Sequence, residues 1–301
     1  MIRNASRRDA EGAEKRRFPN FASFAPLRED NLLFVTFVET DSPVNAYAKK
    51  LTSLARAYAD GERAVIAAFF KKPRKPTDHV RWLKAQGFKE YSAIKPILDA
   101  LAALYPKIGK GVERHAYAEL TEKLADETKH AQLVMDLLQE ITGKTVHPKD
   151  LTWLPEDKKL AKVRAKYSKS YATLLHGSGR VRSKEIHRKD ENLERAAITL
   201  TEGGGGALYL VCSKLKKHGI EGKIAKVFHE ILLDEVGHKD SGGNALASLL
   251  TDRESFERAA QIIGEVSNQR LRMRNEQFGF PLRARQLAVL DQNAQRSLPA
   301  R

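Results

Sequence analysis

At 301 residues the chain is long enough for one large domain or two small ones, with a substantial buried core. Hydrophobic residues make up 42% and aromatics only 7%, in long Ala/Leu/Lys/Glu stretches that favour helices. The single cysteine, Cys212, excludes a disulfide scaffold, a four-cysteine zinc site and an in-chain iron–sulfur module. The net charge of +15 would attract nucleic acid, anionic lipid or an acidic protein, but with no recognised nucleic-acid motif the leading reading is a basic surface without a specific anionic ligand.

Residues 1–40 read as an N-terminal arm. No apolar run follows its basic residues, so no secretory signal is expected, and no stretch of about 18 apolar residues occurs, so no membrane span is expected either. The expected location is the cytoplasm. Residues 41–277 read as a single helical domain. Its first helical pattern runs about 44–71, with a break expected at Asp60-Gly61, and the KKPRKP stretch ends it because proline cannot continue a helix. Between Lys71 and Lys95 eight Lys/Arg face only Asp78 and Glu90.

Four long patterns follow, at about 78–105, 111–143, 186–217 and 221–250, and a fifth spans about 252–277. The first two are joined by YPKIGKG and the next two by KKHGIEG, both short glycine-containing turns between antiparallel helices. A long basic crossover, 144–185, links the two hairpins; it carries thirteen Lys/Arg against five acidic residues between Lys144 and Asp190. It is expected to lie outside the core and to help dock an acidic partner. Residues 278–301 read as an Arg-containing tail.

The apolar stripes carry the functional signal. The 111–143 pattern reads Leu120, Leu124, Glu127, Ala131, Val134, Leu138, and the 221–250 pattern reads Ile224, Phe228, Ile231, Glu235, His238. The 78–105 pattern reads Leu83, Gly87, Glu90, Ile94, Ile97. Glutamates therefore occupy positions where leucines belong, and a bare carboxylate in such a seam costs several kcal/mol or more unless a cation meets it. Two of the nine histidines follow a glutamate by three residues, in Glu127-Thr-Lys-His130 and Glu235-Val-Gly-His238. On a helix that spacing points both side chains at one cluster.

Hairpin geometry supplies two further carboxylates. Glu90 and Glu127 are placed symmetrically about the first turn, and Glu202 and Glu235 about the second. Each lies about 18 residues from its turn, roughly 27 Å along its helix, so facing pairs meet at one level. Four glutamates and two divalent ions balance in charge, with two neutral imidazoles completing the shell. Asp126 and Asp234, each preceding an E-x-x-H, are well placed to accept a proton from a ligand imidazole. Surface ion pairing is the competing reading of these residues, and Glu62 or Glu113 could replace Glu90.

The order Glu90, Glu127/His130, Glu202, Glu235/His238 resembles the ferritin-like di-iron carboxylate superfamily, and the doubled D-E-x-x-H resembles its oxygen-activating branch. The resemblance covers about residues 78–250. It implies an all-α, ferritin-like antiparallel four-helix bundle with extra N- and C-terminal helices and a long crossover. It also implies that Asp126 and Asp234 hydrogen-bond ligand histidines across the bundle. Val134 stands where radical-storing reductases carry tyrosine, Ile231 where arylamine oxygenases add a histidine, and Gly206 where multicomponent monooxygenases carry threonine.

Gly203, Gly204, Gly205 and Gly206 follow Glu202 directly, and four helical glycines cost roughly 3–4 kcal/mol relative to alanine. They are read as one wall of a substrate or oxygen pocket with Tyr209 and Val134, against a plain helix break or tight helix packing. The expected function is a non-haem di-iron oxidase or oxygenase. It would use two iron ions (Fe/Fe, with Mn/Fe as the variant) and molecular oxygen on an organic substrate. No flavin, nicotinamide or iron–sulfur signature is present, so an external electron-donor protein is expected. A ferroxidase or iron-handling protein is the alternative, and a basic helical module binding nucleic acid is the second. A homo-oligomer is compatible with each.

Overall fold

The computed structural model describes residues 43–109, 114–168, 191–216, 218–238 and 246–298. The arm at 1–40 and Glu113 lie outside the described residues. The described chain is all-helical, with no strand among the described residues. Its helices are α1 (Pro43–Phe70), α2 (Pro76–Ile108), α3 (Arg114–Thr142), α4 (Pro155–Tyr167) and α5 (Glu191–Leu200). They continue as α6 (Gly203–Ser213), α7 (Gly219–His238), α8 (Arg253–Gln277) and α9 (Ala284–Gln295). Residues 246–249 are helical as well.

Local chemistry sets the helix ends. Pro76 opens α2, where its missing N–H is no loss, and the Asp78 carboxylate accepts the Lys75 N–H at 3.0 Å. Gly143 closes α3 at φ 68, donating to the Gln139 carbonyl at 2.8 Å, a backbone conformation that favours glycine. The Asp252 side chain caps α8 by accepting from Ser255 N–H at 2.8 Å.

Three expectations are corrected. α1 runs unbroken through Asp60-Gly61. Gly61 lies inside the helix rather than in a turn, and a β-carbon there would make only ordinary contacts, 3.4 Å from Leu271 and 3.8 Å from Leu290. The helix expected at 186–217 is two helices, α5 and α6, parted at Thr201-Glu202. The weak helix propensity of the glycine run and the Thr201 hydroxyl, which donates to the Ile198 carbonyl at 2.6 Å, account for the break. The tail contains α9, whose Tyr58–Asp291 and Gln295–Tyr58 hydrogen bonds anchor it to α1.

Two buried clusters organise the packing. In the first, the N-terminal half of α1 meets α4, α5 and the first half of α8 around Leu51, Leu54, Ile198 and Ile262. In the second, the rest of α1 and the end of α8 meet α2, α3, α6 and α7 around Trp82, Leu83, Val134, Leu208 and Phe228. Residues in contact trace a circuit α2–α3–α7–α6–α1–α8 and back to α2. The break at Glu202 lets one stretch of chain serve both clusters. The described part of the crossover packs beside the bundle: α4 buries Leu160 and Tyr167 in the first cluster, and Trp153 stacks on Phe88 of α2 at 5.4 Å.

Candidate metal centre

Helical periodicity brings the predicted residues onto facing surfaces of α2, α3 and α7. Glu90 follows Leu83 and Gly87 on the buried side of α2 and is itself buried. One turn before it, a β-carbon on Gly87 would meet Leu151 at 3.0 Å and Val134 at 3.3 Å, so the missing side chain lets α3 and the crossover approach α2 closely. Val134, fully buried against that glycine, is part of the packed core.

On α3, Glu127 and His130 lie one turn apart, and ligand atoms of Glu90, Glu127 and His130 fall within 4.8 Å of one another. Burial pushes the Glu127 carboxyl up to about 8, with Glu90 and Glu235 adding to the effect. A cation among these oxygens would offset their mutual repulsion.

His130 is 1% exposed and lies between two carboxylates of α7. Its Nε2 is 3.2 Å from Asp234 Oδ2, and its Nδ1 is 3.9 Å from Glu235 Oε1. Asp234 also accepts from Lys129 Nζ at 2.9 Å; burial works against its charge, but the hydrogen bonds from Lys129 and His130 hold its carboxyl below the usual range. An ionised carboxylate only accepts, so Nε2 carries a proton, and in the neutral imidazole Nδ1 then presents a lone pair. That Nδ1 is buried and makes no hydrogen bond. A buried imidazole nitrogen aimed at carboxylates, with its other nitrogen held by an aspartate, fits a metal ion. The oxygen-rich donor set with imidazole suits iron or manganese.

The remaining predicted residues are less tightly gathered. Glu202 sits at the α5–α6 break with its side chain 43% exposed, 3.9 Å from Arg164 Nη2, yet near enough to Glu127 to raise that carboxyl. Asp126 is half-buried on α3. The side chain of His238 and the surroundings of Gly203, Gly204 and Gly205 lie outside the described residues. Gly206 is buried, directly before the buried Ala207 and Leu208. A cleft of about 850 Å³ opens elsewhere, lined by residues of α1, α4, α8 and α9 including Tyr47, Arg253, Glu265 and Gln295; no predicted pocket residue lines it.

Several polar partners of the site escape the sequence reading. Tyr209, expected in the pocket or the core, is buried and donates its hydroxyl to Glu90 Oε1 at 3.1 Å. Burial, then the charges of Glu90, Glu235 and Glu127, push its phenol well above the usual range. Gln86 Nε2 donates to the same oxygen at 2.5 Å, and Gln86 Oε1 accepts from Gln277 Nε2 at 3.0 Å. Gln277 Oε1 in turn accepts from Arg274 and from Lys89 Nζ. Burial pushes the Lys89 ammonium down to about 7, with Asp157 opposing and Arg274 and Arg270 reinforcing. Arg and protonated Lys can only donate, so the relay has one polarity and ends on Glu90 as an acceptor. Gln86 stands one turn before Glu90 on the same stripe, the one sequence signal that could have revealed it.

Glu62, the expected substitute for Glu90, is engaged otherwise. It is buried between Arg270 Nε at 3.2 Å and Arg274 Nε at 2.9 Å, and these two guanidinium groups outweigh burial and hold its carboxyl below the usual range.

No protein-family model, curated protein or solved structure matches this chain.

Proposed function

We propose that this chain is a ferritin-like di-metal protein, holding two iron ions or a manganese–iron pair, and that it acts as an oxygen-dependent oxidase or oxygenase on an organic substrate. The observation that carries the reading is His130. Its Nδ1 is buried without a hydrogen bond 3.9 Å from Glu235 Oε1, a ligand atom of the ring falls within 4.8 Å of those of Glu90 and Glu127, and Asp234 holds Nε2. In an ordinary helical core such a nitrogen would be paired or solvated.

The proposed ligands are Glu90, Glu127, His130, Glu202, Glu235 and His238. Metal held there would supply the redox chemistry with molecular oxygen. The protein's part is positional. Gln86 and Tyr209 both donate to Glu90 Oε1, which leaves Oε2 to face a metal. Asp234 fixes the tautomer of His130, and the core around Phe228 and Leu208 keeps water from the Tyr209 side. Glu202, at a helix break and part-exposed, would stand on the side from which a substrate enters. Electrons would come from an external protein.

The test is metal analysis after anaerobic reconstitution. Two metal ions per chain are expected, falling to one or fewer in His130→Ala, with oxygen consumed by the iron(II) form. Oxygen uptake that never exceeds the oxidation of added iron, whatever organic compounds and reductants are supplied, would favour iron handling instead. Absence of bound metal at every pH tested would remove the reading.

A further inference from the structure

Phe280 is the one non-glycine residue with positive φ among the described residues, at 59°. The left-handed region is disfavoured for a bulky side chain, and glycine or asparagine is the usual occupant. The surrounding turn is built to hold it. Phe280 N–H donates to the Asn275 carbonyl at 2.7 Å, and Gly279 N–H donates to that of Glu276 at 2.9 Å. The buried Asn275 side chain clamps Leu282 from both sides, accepting its N–H and donating to its carbonyl, each at 3.0 Å. The ring held in this strained geometry is nevertheless 60% exposed. Phe278, two residues earlier, is buried at 5.0 Å from both Trp82 and Phe69. The turn thus separates an anchoring ring from one displayed to solvent.

Basic residues flank the turn that displays this ring, as a collar. The Phe278–Phe69 contact brings the α8–α9 turn beside the α1–α2 loop with its exposed Lys71, Lys72 and Lys75. The Arg81 guanidinium reaches the turn itself, 2.8 Å from where a β-carbon of Gly279 would stand. Arg283 and Arg285 follow, also exposed. Residues 71–85 and 276–285 together hold eight Lys/Arg against Asp78 and Glu276. Both acids are engaged, Asp78 by Lys75 N–H and Glu276 by Glu156 N–H.

We infer that this end of the molecule docks on an anionic membrane surface, with Phe280 entering the lipid and the lysine and arginine collar meeting the headgroups. No described helix is long and apolar enough to cross a membrane, so the contact is peripheral. A single apex ring inside a cationic collar is what an interfacial anchor needs. Binding of single-stranded nucleic acid instead uses a groove with successive aromatic platforms, and among the described residues the other exposed aromatic rings, Tyr91, Tyr105 and Trp153, belong to other parts of the chain. The inference is independent of the metal site.

The test is flotation of the full chain with phosphatidylcholine vesicles, with and without phosphatidylglycerol. Binding to the anionic vesicles at low salt and its loss at high salt are expected. Phe280→Asn is the deciding variant, because asparagine accepts the left-handed backbone. Its melting temperature should equal or exceed that of the wild type while vesicle affinity falls about tenfold. Lys72→Ala and Arg283→Ala should each lower affinity about fivefold. Failure to float with anionic vesicles would overturn the proposal, as would Phe280→Asn binding like the wild type. Tight binding of an oligonucleotide without vesicle binding would reassign the patch to nucleic acid.

Discussion

Asp234 Oδ2 lies 3.2 Å from His130 Nε2, and this contact decides which ring nitrogen faces the carboxylate cluster. Lys129 shares the aspartate from the solvent side, so Asp234 is ionised and fixed before any ligand arrives. Three side chains therefore work together across α3 and α7: the adjacent Lys129 and His130 on one helix, Asp234 on the other.

Asp234→Leu should weaken metal binding about 10- to 100-fold, the usual effect of losing the group behind a ligand histidine. Asp234→Asn should be intermediate, because its amide can accept from Nε2–H but lacks the charge. Competition with a chelator of known affinity measures both. Equal affinity in all three proteins would mean that His130 is oriented by packing alone.

The raised Glu127 carboxyl predicts a pH dependence with a definite sign. Between the unfolded value near 4.5 and the folded value near 8, the metal-free native state binds more protons than the unfolded state. Stability should therefore fall as pH rises through that window, by an amount on the order of a few kcal/mol. The cleanest range is pH 5 to 7, because above 7 the lowered Lys89 ammonium contributes in the opposite direction. Urea unfolding of metal-free wild type and Glu127→Gln gives the comparison; the variant should lose the slope. Metal addition at pH 7 should also release about one proton, which calorimetry in buffers of different ionisation heat detects.

Much of this site was readable because helices repeat every 3.6 residues and short turns reflect one helix onto the next. That arithmetic placed Glu90 opposite Glu127 and His130; the bond of Asp234 to a histidine on another helix was implied by the family resemblance alone. It failed at Glu202, where the helix expected over 186–217 runs through Thr201 although the observed helix ends at Leu200. It could not reach Gln277, which is 191 positions from Gln86 and belongs to a helix that no ligand pattern marks. Glu62 looked like a spare ligand because burial was legible and partnership was not; its arginines lie more than two hundred residues away.

The relay from Arg274 to Glu90 should be directional. Gln86→Leu removes a donor from Glu90 and leaves Gln277 Nε2 with only a long contact to the Trp82 carbonyl at 3.4 Å. A cost of about 1–3 kcal/mol in thermal stability is expected. Tyr209→Phe removes the other donor and should cost about 1 kcal/mol. If both donors hold Oε1 so that Oε2 faces a metal, the double variant should lose metal affinity by more than the sum of the single effects. Strict additivity would indicate that the two bonds act independently of the ligand's orientation.

Glu62 offers the sharpest separation of a structural carboxylate from a metal-binding one. Its two oxygens are taken by Arg270 and Arg274, all three side chains are buried, and Arg274 continues into the relay through Gln277. Glu62→Leu leaves two cations buried without their counter-ion, so a loss of about 3–5 kcal/mol is expected. Glu62→Gln keeps an acceptor oxygen and should lose less. Metal stoichiometry, measured below the melting temperature of each variant, should remain at the wild-type value. A folded Glu62→Gln protein with one metal fewer would instead make Glu62 a ligand. The same measurement on Glu90→Gln should give the opposite pattern: reduced metal, and a metal-free fold at least as stable as wild type, because one of the clustered carboxylate charges has been removed.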